Sequence, residues 1–411
     1  MSHLALTGRR VLELGGWVAA PFAGNVLAHL GAEVIKVEPF VGDPTRTTLR
    51  GGPSGTFIAY NHGKRSVCID LASGEGHAVF SRLLETADVV VHNLSPDATR
   101  RLKVTHADCH RANPKVVYSH ITGYGPGPRE DEIASNPIVE ASTGVMYANR
   151  VNGRPTRLGP SYHDMFAGMN AVIGILAALA PVDGNTQRRR VDVGLYETAL
   201  HVAARDLAGV ALNAHIPREQ RRSKSTEFGQ PGYGAYETAD GRWIYLLILS
   251  DSHWQRFCEV MKLPQANDPA LRTRQQRRER SEELEALVTA TVRSLSFDDN
   301  VARLNSAGLG FTEVRRYREV LNDPQAQHPG KVSFVTFRGH RYPIASSPIR
   351  SETPDVRPDM PPPLLGEHTE EVLRSLGYDA TRYQELVRAR VVAGPEEAAA
   401  AAPMPQREAP G

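Results

Sequence analysis

The N-terminal segment alternates between short apolar runs and an amphipathic stretch, and this alternation constrains the fold most strongly. "RVLEL" and "EVIKV" are runs typical of buried strands. Between them Phe22, Val26 and Leu30 recur at helical spacing. Pro21 fits the first helical turn, where its missing N–H goes unused, and Gly31 predicts the end of the helix. The segment therefore predicts a strand, a helix and a parallel strand joined by a right-handed crossover.

The same alternation continues further along the chain. "SVCIDL", "DVVVHNL" and "KVVYSHIT" have the composition of strands, and "GEGHAVFSRLLETA" has the pattern of an amphipathic helix. Such a series predicts an α/β fold with a parallel, doubly wound sheet, in which ligands bind beyond the carboxyl ends of the strands. The segments that follow the strands, such as "GGWVAAP" and "NLSPDATRR", are therefore the candidate binding segments.

The chain has 411 residues, which exceeds a typical single core, so we expect two domains. Stretches rich in charge, glycine and proline predict linkers, and the Ala/Pro-rich C-terminus predicts disorder. The predicted divisions are a large domain at 1–200, a linker at 201–225, a small α+β domain at 226–330, a return linker at 331–365, a C-terminal part of the large domain at 366–392 and a disordered tail at 393–411.

Composition and charge exclude several functional classes. Lys and Arg total 48 and Asp and Glu total 46, and this net charge of +2 argues against a dedicated nucleic-acid-binding protein. The three cysteines have neither disulfide-framework nor zinc-site spacing, so we expect no metal and a reducing compartment. The N-terminus lacks a signal-peptide core, and Ala167–Ala180 is shorter than the ~20 residues that span a membrane. We therefore expect a cytoplasmic protein that binds neither nucleic acid nor membrane.

Asp164 stands at the front of the apolar run "MFAGMNAVIGILAAL". It is a good helix N-cap, because its side-chain oxygen can accept a free backbone N–H. A carboxylate held at the start of a buried helix is also suited to covalent catalysis at an acyl carbon. The two interpretations are compatible.

Other charged residues are open to two interpretations. Arg100 and Arg101 follow a strand and are either a solvated helix face or a phosphate clamp. Lys64 and Arg65 precede a strand and are either exposed or phosphate contacts, and we favour exposure. The chain has no P-loop, and no G-x-G-x-x-G follows the first strand, so nucleotide-binding motifs are not supported.

Eight stretches of the chain, taken in order, resemble the class III CoA-transferase family, which includes formyl-CoA and carnitine CoA-transferases and α-methylacyl-CoA racemase. The similarity covers about residues 8–390, from "VLELGGWVAAPFAGNVLAHLGAEVIKVEP" through "HDMFAGMNAVIGILAAL" to "PPPLLGEHTEEVLRSLGY". The resemblance implies a large Rossmann-like domain with a smaller α+β domain. It also implies two chains interlocked like the links of a ring, so that the protein is a homodimer.

The resemblance also implies site residues. The family's nucleophilic aspartate falls on Asp164. The other positions are, for coenzyme A, Asn93, Leu94, Arg101, Trp17, Ile69 and Tyr124 and, for the acyl or acceptor group, Val18 and Gln230. No metal or bound cofactor is implied, and the coenzyme A thioester is a substrate.

Several positions depart from the formyl-CoA branch. A glutamine that faces the acyl or acceptor group there is Val18 here, an arginine near adenine is Pro39, and two lysines are Ala72 and Thr122. The Gly-rich lid is reduced to "FGQPG". These differences are compatible with coenzyme A binding, but they disfavour oxalate as the acceptor.

The sequence thus predicts an acyl-CoA:carboxylate CoA-transferase that forms an aspartyl anhydride and an aspartyl-CoA thioester on Asp164. Its partners are an acyl-CoA donor and a carboxylic acid acceptor. One alternative is an acyl-CoA racemase or isomerase, which residues 131–142 disfavour because they lack the histidine of that branch. A second alternative is a non-catalytic CoA-binding subunit, which would not need Asp164.

Overall fold

The computed structural model describes residues 4–47, 52–180, 189–213, 230–349 and 360–401. The chain divides into two compact units, the first formed by Met1–Leu207 with His328–Gly411 and the second by Ala208–Gln327. The strands are β1 Arg10–Leu14, β2 Glu33–Glu38, β3 Arg65–Ile69, β4 Val89–His92, β5 Val117–Thr122, β6 Arg190–Gly194, β7 Tyr233–Glu237, β8 Trp243–Leu247, β9 Gly310–Glu313, β10 Val332–Phe337, β11 His340–Ala345 and β12 Val392–Ala393.

Helices connect the strands and flank the sheets. They are α1 Ala19–His29, α2 Gly55–Asn61, α3 Gly74–Leu84, α4 Pro96–Arg101, α5 His106–Ala112, α6 Asn136–Ser142, α7 Val145–Ala148, α8 Tyr162–Leu179, α9 Leu195–Val202, α10 Ala204–Asn213, α11 Asp251–Val260, α12 Arg274–Glu279, α13 Ser281–Arg293, α14 Phe297–Ser306, α15 Tyr317–Val320, α16 Pro324–Gln327, α17 Thr369–Ser375, α18 Ala380–Arg388 and α19 Pro395–Ala401.

The first unit contains a seven-stranded sheet in the order β12-β3-β2-β1-β4-β5-β6. Strands β1 to β6 are parallel, as the sequence predicts, whereas β12 pairs antiparallel with β3 at one edge. Leu12 in the central strand lies opposite Ile35 on one side and Val90 on the other. The loops that follow β1, β4 and β5 therefore meet at one edge of the sheet.

Both faces of this sheet are covered. Leu12 faces a core that includes residues of α3, α17 and α18, and its neighbour Val11 faces a second core that includes residues of α1 and α8. Successive side chains of a strand point to opposite faces, so one short apolar run supplies both cores. Burial on both faces explains why β4 is almost continuously apolar and why β1 carries Val11, Leu12 and Leu14 on its two faces.

Two glycines allow α8 to pack closely against its neighbours. A Cβ atom at Gly168 would lie 2.7 Å from the Ala19 carbonyl oxygen in α1, and one at Gly174 would lie 2.4 Å from Val191 in β6. This packing places the N-terminus of α8 beside the start of α1. Of the described helices, α8 alone has the length and apolarity that a membrane span requires, a test that core helices also pass.

The second unit contains the antiparallel sheet β7-β8-β9 with α11 to α14. The turn "ADG" connects β7 to β8, which pair antiparallel. Trp254, Phe257 and Leu304 belong to the apolar core of this unit, together with residues of the sheet. The mixed α+β character predicted for this region is thus present.

Three stretches differ from the sequence-based expectation. The predicted linker at 201–225 contains helix α10 over Ala204–Asn213, and its remainder from 214 lies outside the described residues. The predicted return linker at 331–365 contains the hairpin β10–β11, whose apolar side packs on Phe57 and Ile58 of α2. The predicted disordered tail begins instead with Ala393 paired to β3 and continues as α19. The alternation in "VSFVTF" is a local signal for strand β10, and the alanine run in "PEEAAAA" is a local signal for helix α19. The Gly and Pro content of the surrounding segments outweighed these signals in the prediction. Residues 350–359 and 402–411 lie outside the described residues.

Candidate active site

A cavity of about 740 Å³ opens at the carboxyl edge of the large sheet. Its walls come from the segment after β1, the segment after β4, the end of β5, and the first residues of α6 and α8. Because these segments follow parallel strands or begin helices, backbone N–H groups and short loops surround the space. Asp164, Val18 and Asn93, which are distant in sequence, line this one cavity.

Asp164 is the third residue of α8, and Ser161 occupies the N-cap position. The structure therefore does not bear out the N-cap interpretation of Asp164. Its side chain is partly buried at the cavity wall, near the positive end of the helix. The backbone of α8 therefore positions the Asp164 carboxylate at the cavity, and this carboxylate does not cap the helix.

The surroundings of Asp164 change its ionisation. Burial raises the pKa of Asp164 to about 6, and the negative charge of Glu140 acts in the same direction. A hydrogen bond with the Ser161 side chain and the positive charge of Arg157 lower this pKa and only partly offset the burial. The carboxylate is thus ionised near neutral pH but weakly solvated, which favours its action as a nucleophile or base.

Glu140 lies close enough to Asp164 for its charge to act on that carboxyl and is fully buried in α6. Its carboxylate accepts hydrogen bonds from Asn136 Nδ2 at 2.5 Å and from the Leu158 N–H at 3.3 Å. Asn136 Oδ1 in turn accepts the His163 N–H at 3.0 Å, which connects α6 to the first turn of α8. This polar bridge holds Asp164 in position relative to the cavity.

The turn after β1 forms another wall and is held by Asn93. The Asn93 side chain donates to the Gly16 carbonyl oxygen at 2.9 Å and accepts the Gly16 N–H at 3.2 Å. A Cβ atom at Gly15, which has φ of 104°, would lie 2.0 Å from Asn93 Oδ1, so the close approach requires glycine. Trp17 follows with φ of 64°, and its indole side chain is 63% exposed.

A buried ion network supports this turn from below. Lys36 Nζ pairs with Glu13 at 2.8 Å and with Asp43 at 2.9 Å, and Lys64 Nζ pairs with the other oxygen of Glu13 at 2.6 Å. Asp43 Oδ1 accepts the Trp17 N–H at 3.3 Å. Lys64 is therefore buried rather than exposed, which corrects the favoured interpretation of the sequence. Such pairs hold geometry, because breaking one leaves an uncompensated buried charge.

Comparison with known proteins identifies the family of the chain. The model of CoA-transferase family III matches residues 6–369 of the chain. The chain belongs to CoA-transferase family III. The protein is thus an enzyme that transfers coenzyme A, and CoA-transferases use coenzyme A thioesters as substrates.

Curated relatives of this CoA-transferase act on several acids. Succinyl-CoA:mesaconate CoA-transferase of Haloarcula hispanica is 30% identical over 394 residues, which cover 91% of this chain and 96% of the relative. Succinyl-CoA–D-citramalate CoA-transferase of Chloroflexus aurantiacus is 33% identical over 322 residues, 77% of this chain and 79% of the relative. Formyl-CoA:oxalate CoA-transferase of Bradyrhizobium diazoefficiens is 29% identical and covers 96% of this chain and 99% of the relative.

Solved structures show the same fold. A CAIB/BAIF family protein from Brucella suis superposes with a TM-score of 0.79 at 25% identity and covers 91% of this chain and all of that chain. The protein Rv3272 from Mycobacterium tuberculosis has a TM-score of 0.78 at 28% identity, with 90% of this chain and all of that chain covered. The mixed α/β architecture with a parallel-dominated sheet is therefore shared with the CaiB/BaiF group.

The cavity of about 740 Å³ brings together five of the nine residues predicted for the site. These five are Trp17, Val18, Asn93, Leu94 and Asp164. Arg101 does not line the cavity, whereas its neighbour Arg100 does and pairs with Asp131 at 3.5 Å. Successive helical residues point about 100° apart, so only one of two adjacent arginines can face a given wall.

The other three predicted residues lie elsewhere. Ile69 is 1% exposed in the core beneath the sheet, and its side chain does not reach the cavity. Tyr124 lines a neighbouring cavity of about 660 Å³, and its buried hydroxyl has no hydrogen-bond partner within the described ranges. Gln230 is 1% exposed in the second unit and accepts a hydrogen bond from Arg274 Nε at 3.0 Å.

Sequence reasoning missed Arg157, Glu140 and Asn136. Arg157 lies in a loop before α8 without a recognisable pattern around it. Glu140 and Asn136 lie in the stretch "NPIVEAS", where their spacing on one helix face was the available signal for a paired function. In the parts of the chain that the structure describes, no cluster of His, Cys, Asp and Glu could hold a metal ion.

Proposed function

We propose that this enzyme transfers coenzyme A from an acyl-CoA to a carboxylic acid through covalent intermediates on Asp164. One observation supports this proposal above the others. Asp164 is a partly buried carboxylate at the wall of a large cavity, with no ion-pair partner within 4 Å in the described part of the chain. A carboxylate whose only role is structural would normally be paired or used as a cap.

The proposed sequence of steps conserves atoms and charge. A carboxylate oxygen of Asp164 attacks the thioester carbon, the C–S bond breaks, and a mixed anhydride and coenzyme A thiolate form. The thiolate attacks the aspartyl carbonyl, which releases the donor acid and leaves an aspartyl-CoA thioester. The acceptor carboxylate attacks this thioester, and the released thiolate then attacks the acceptor carbonyl and regenerates Asp164. Covalent catalysis divides one difficult exchange into easier steps.

Backbone N–H groups at the start of α8 are candidates to stabilise the oxyanions. The N–H groups of Tyr162, His163 and Met165 already donate to Pro160, Asn136 and Ser161, respectively. The Asp164 N–H has no partner among the hydrogen bonds of the described residues. We assign the oxyanion contact to this amide.

Trp17, Asn93 and Leu94 line the cavity and are proposed to contact the pantetheine arm. The exposed Arg101 guanidinium is proposed to pair with a phosphate near the rim, where long polar groups remain solvated. The buried hydroxyl of Tyr124 is proposed as a hydrogen-bond partner for another part of coenzyme A.

Val18 supports a choice of acceptor acid. It presents an aliphatic side chain to the cavity, where an amide would offer hydrogen bonds to a small polar acid. We expect weak turnover with oxalate and better turnover with larger, less polar acids. Val18→Gln should improve oxalate turnover by about 2- to 10-fold, the worth of one hydrogen bond. Efficient formyl-CoA:oxalate exchange by the wild type would contradict this expectation.

The interlocked homodimer and the cytoplasmic location are also proposals. If the chains are linked like rings, separating them requires opening the fold, so the dimer should persist on dilution. Analytical ultracentrifugation tests this, and a folded monomer at low concentration would contradict it. Fractionation of cells followed by immunoblotting tests the cytoplasmic location.

The decisive experiment traps the intermediate. Purified enzyme is incubated with acetyl-, propionyl- or succinyl-CoA without an acceptor and treated with hydroxylamine, which converts activated carboxyl groups to hydroxamates. Peptide mass spectrometry should place the hydroxamate on Asp164. A panel of mono- and dicarboxylic acids, suggested by the relatives that act on succinyl-CoA, mesaconate and glutarate, then identifies the acceptor.

An acyl-CoA racemase or isomerase is the second candidate, because a carboxyl group with a pKa of about 6 can also move protons near neutral pH. The described residues that line the cavity include no histidine to complete an acid/base pair. Exchange of the α-proton of a 2-methylacyl-CoA in deuterated water, without an adduct on Asp164, would favour this candidate.

A further inference from the structure

Arg157 is a cation in the wall of the Asp164 cavity that the steps above leave without a role. Of the described residues that line the cavity, only Arg100 and Arg157 carry a positive charge. Arg100 pairs with Asp131 near the rim. Arg157 lies in the loop that leads into α8, on the same wall as Asp164.

The Arg157 side chain has a charged neighbour but leaves its N–H donors unused within the described residues. Its Nε lies 3.8 Å from Glu140 Oε2, a distance that allows charge attraction but exceeds a hydrogen bond. Both oxygens of Glu140 already accept other hydrogen bonds, from Asn136 and from the Leu158 N–H. The described residues therefore form no hydrogen bond with the half-exposed Arg157 guanidinium, and the buried Glu140 carboxylate attracts it beside the cavity.

We propose that Arg157 binds the reacting carboxylate of the acceptor acid and orients it toward the acyl carbon on Asp164. A guanidinium presents parallel N–H donors that match the two oxygens of a carboxylate. One oxygen of the acceptor carboxylate can stay bound to Arg157 while the other oxygen attacks the carbonyl carbon of the aspartyl-CoA thioester. This inference rests on the proposed function, because it names the residue that receives the acceptor in the second half of that reaction.

The charge of Asp164 favours binding of the acceptor acid after the acyl-CoA has reacted. While Asp164 is ionised, its negative charge repels an acceptor carboxylate and attracts Arg157. Acylation removes the charge of Asp164, and Arg157 then faces the cavity with Glu140 as its remaining anion. The acceptor should therefore bind the acylated enzyme more tightly than the free enzyme.

The test separates the two half-reactions in Arg157→Gln. The first is the rate of adduct formation from succinyl-CoA or propionyl-CoA without an acceptor. The second is the exchange of ¹³C-labelled succinate or propionate into the corresponding thioester. We expect the KM for each acid to rise about 10- to 150-fold, as for loss of a charge-assisted contact, with the KM for acyl-CoA changed less than about 3-fold.

Three further variants make the result specific. Arg154→Gln removes the same charge from the same loop at a position that does not line the cavity, and it should leave the KM for both acids unchanged. Arg157→Lys keeps the charge without the fork and should fall between wild type and Arg157→Gln. Arg157→Gln/Glu140→Gln avoids an unpaired buried carboxylate, so it should fold even if the single variant does not, with the same loss for the acids.

Several outcomes would overturn the inference. An unchanged KM for the acids in Arg157→Gln would overturn it. An equal rise in the KM for acyl-CoA would also overturn it. A loss confined to succinate would place Arg157 on the distal carboxylate of a dicarboxylic acid instead. Failure of the proposed function is distinguishable, because wild-type enzyme would then form no adduct on Asp164 at all.

Discussion

Glu13 and Asp164 are two carboxylates near the same edge of the large sheet with opposite surroundings. Glu13 is fully buried, and each of its oxygens is bound by a lysine. Asp164 is partly buried and lines a cavity, and the nearby Arg157 is itself held beside Glu140. Desolvation costs free energy for both carboxylates, but only for Glu13 do direct ion pairs offset this cost.

The two environments also differ in their effect on ionisation. Burial alone would raise the pKa of Asp43 in the Glu13 network, but the charge of Lys36 and the hydrogen bonds from Thr45 outweigh it and hold the pKa below the usual value. Burial raises the pKa of Asp164 to about 6 because its opposing contacts are weaker. A compensated charge serves the fold, and an uncompensated one is available for chemistry.

The largest expected effect comes from Asp164→Asn. This variant keeps the size of the side chain and removes the proposed nucleophile, so transfer activity should fall by at least ~10³-fold. The free energy of unfolding should stay the same or increase, because a desolvated charge is removed. Activity is measured by thioester exchange and stability by urea unfolding. Near wild-type transfer would show that Asp164 is not the nucleophile.

Lys36→Met tests the compensated region. It leaves Asp43 without its buried cation and Glu13 with one lysine instead of two, so we expect a loss of about 3–5 kcal/mol in the free energy of unfolding. The control is Arg9→Ala, which breaks the solvent-exposed pair with Asp88 and should cost no more than about 1 kcal/mol. Urea unfolding followed by circular dichroism measures both. Equal effects of the two variants would remove the distinction drawn between the regions.

Arg101→Ala and Arg100→Ala compare an arginine without an ion pair with one that has an ion pair. Arg101 has no ion pair or hydrogen bond with the described residues, and Arg100 pairs with Asp131. We expect Arg101→Ala to raise the KM for every acyl-CoA by about 10- to 150-fold through loss of a phosphate contact. The effect of Arg100→Ala should be smaller. The reverse order would assign the phosphate to Arg100.

The pH dependence should reveal the raised pKa of Asp164. The rate of adduct formation should be nearly constant above about pH 7 and fall about tenfold for each pH unit well below 6. Because the folded state favours the protonated form, wild type should lose stability relative to Asp164→Asn as the pH rises from about 4 to about 6. A pH–rate profile and urea unfolding at several pH values measure these effects. A rate that is flat down to pH 4 would contradict the assignment.

The sequence by itself determined the parallel sheet and the presence of Asp164 at the start of a long apolar helix. Apolar periodicity, Pro21 and Gly31 are local signals, and β1, α1 and β2 follow them closely. The order of motifs also sufficed to recognise the CoA-transferase family, which the match to residues 6–369 confirms. These features depend on neighbours along the chain, which a sequence displays directly.

Only the tertiary structure decided which charged residues are paired. Lys64 lies 51 residues from Glu13, and nothing near it in sequence shows that it is buried. Which of Arg100 and Arg101 faces the cavity depends on the rotation of a short helix. The contact between Glu140 and Arg157 likewise joins a helix to a distant loop. Ion pairs and cavity walls arise from contacts between segments far apart in sequence, and local periodicity carries no information about them.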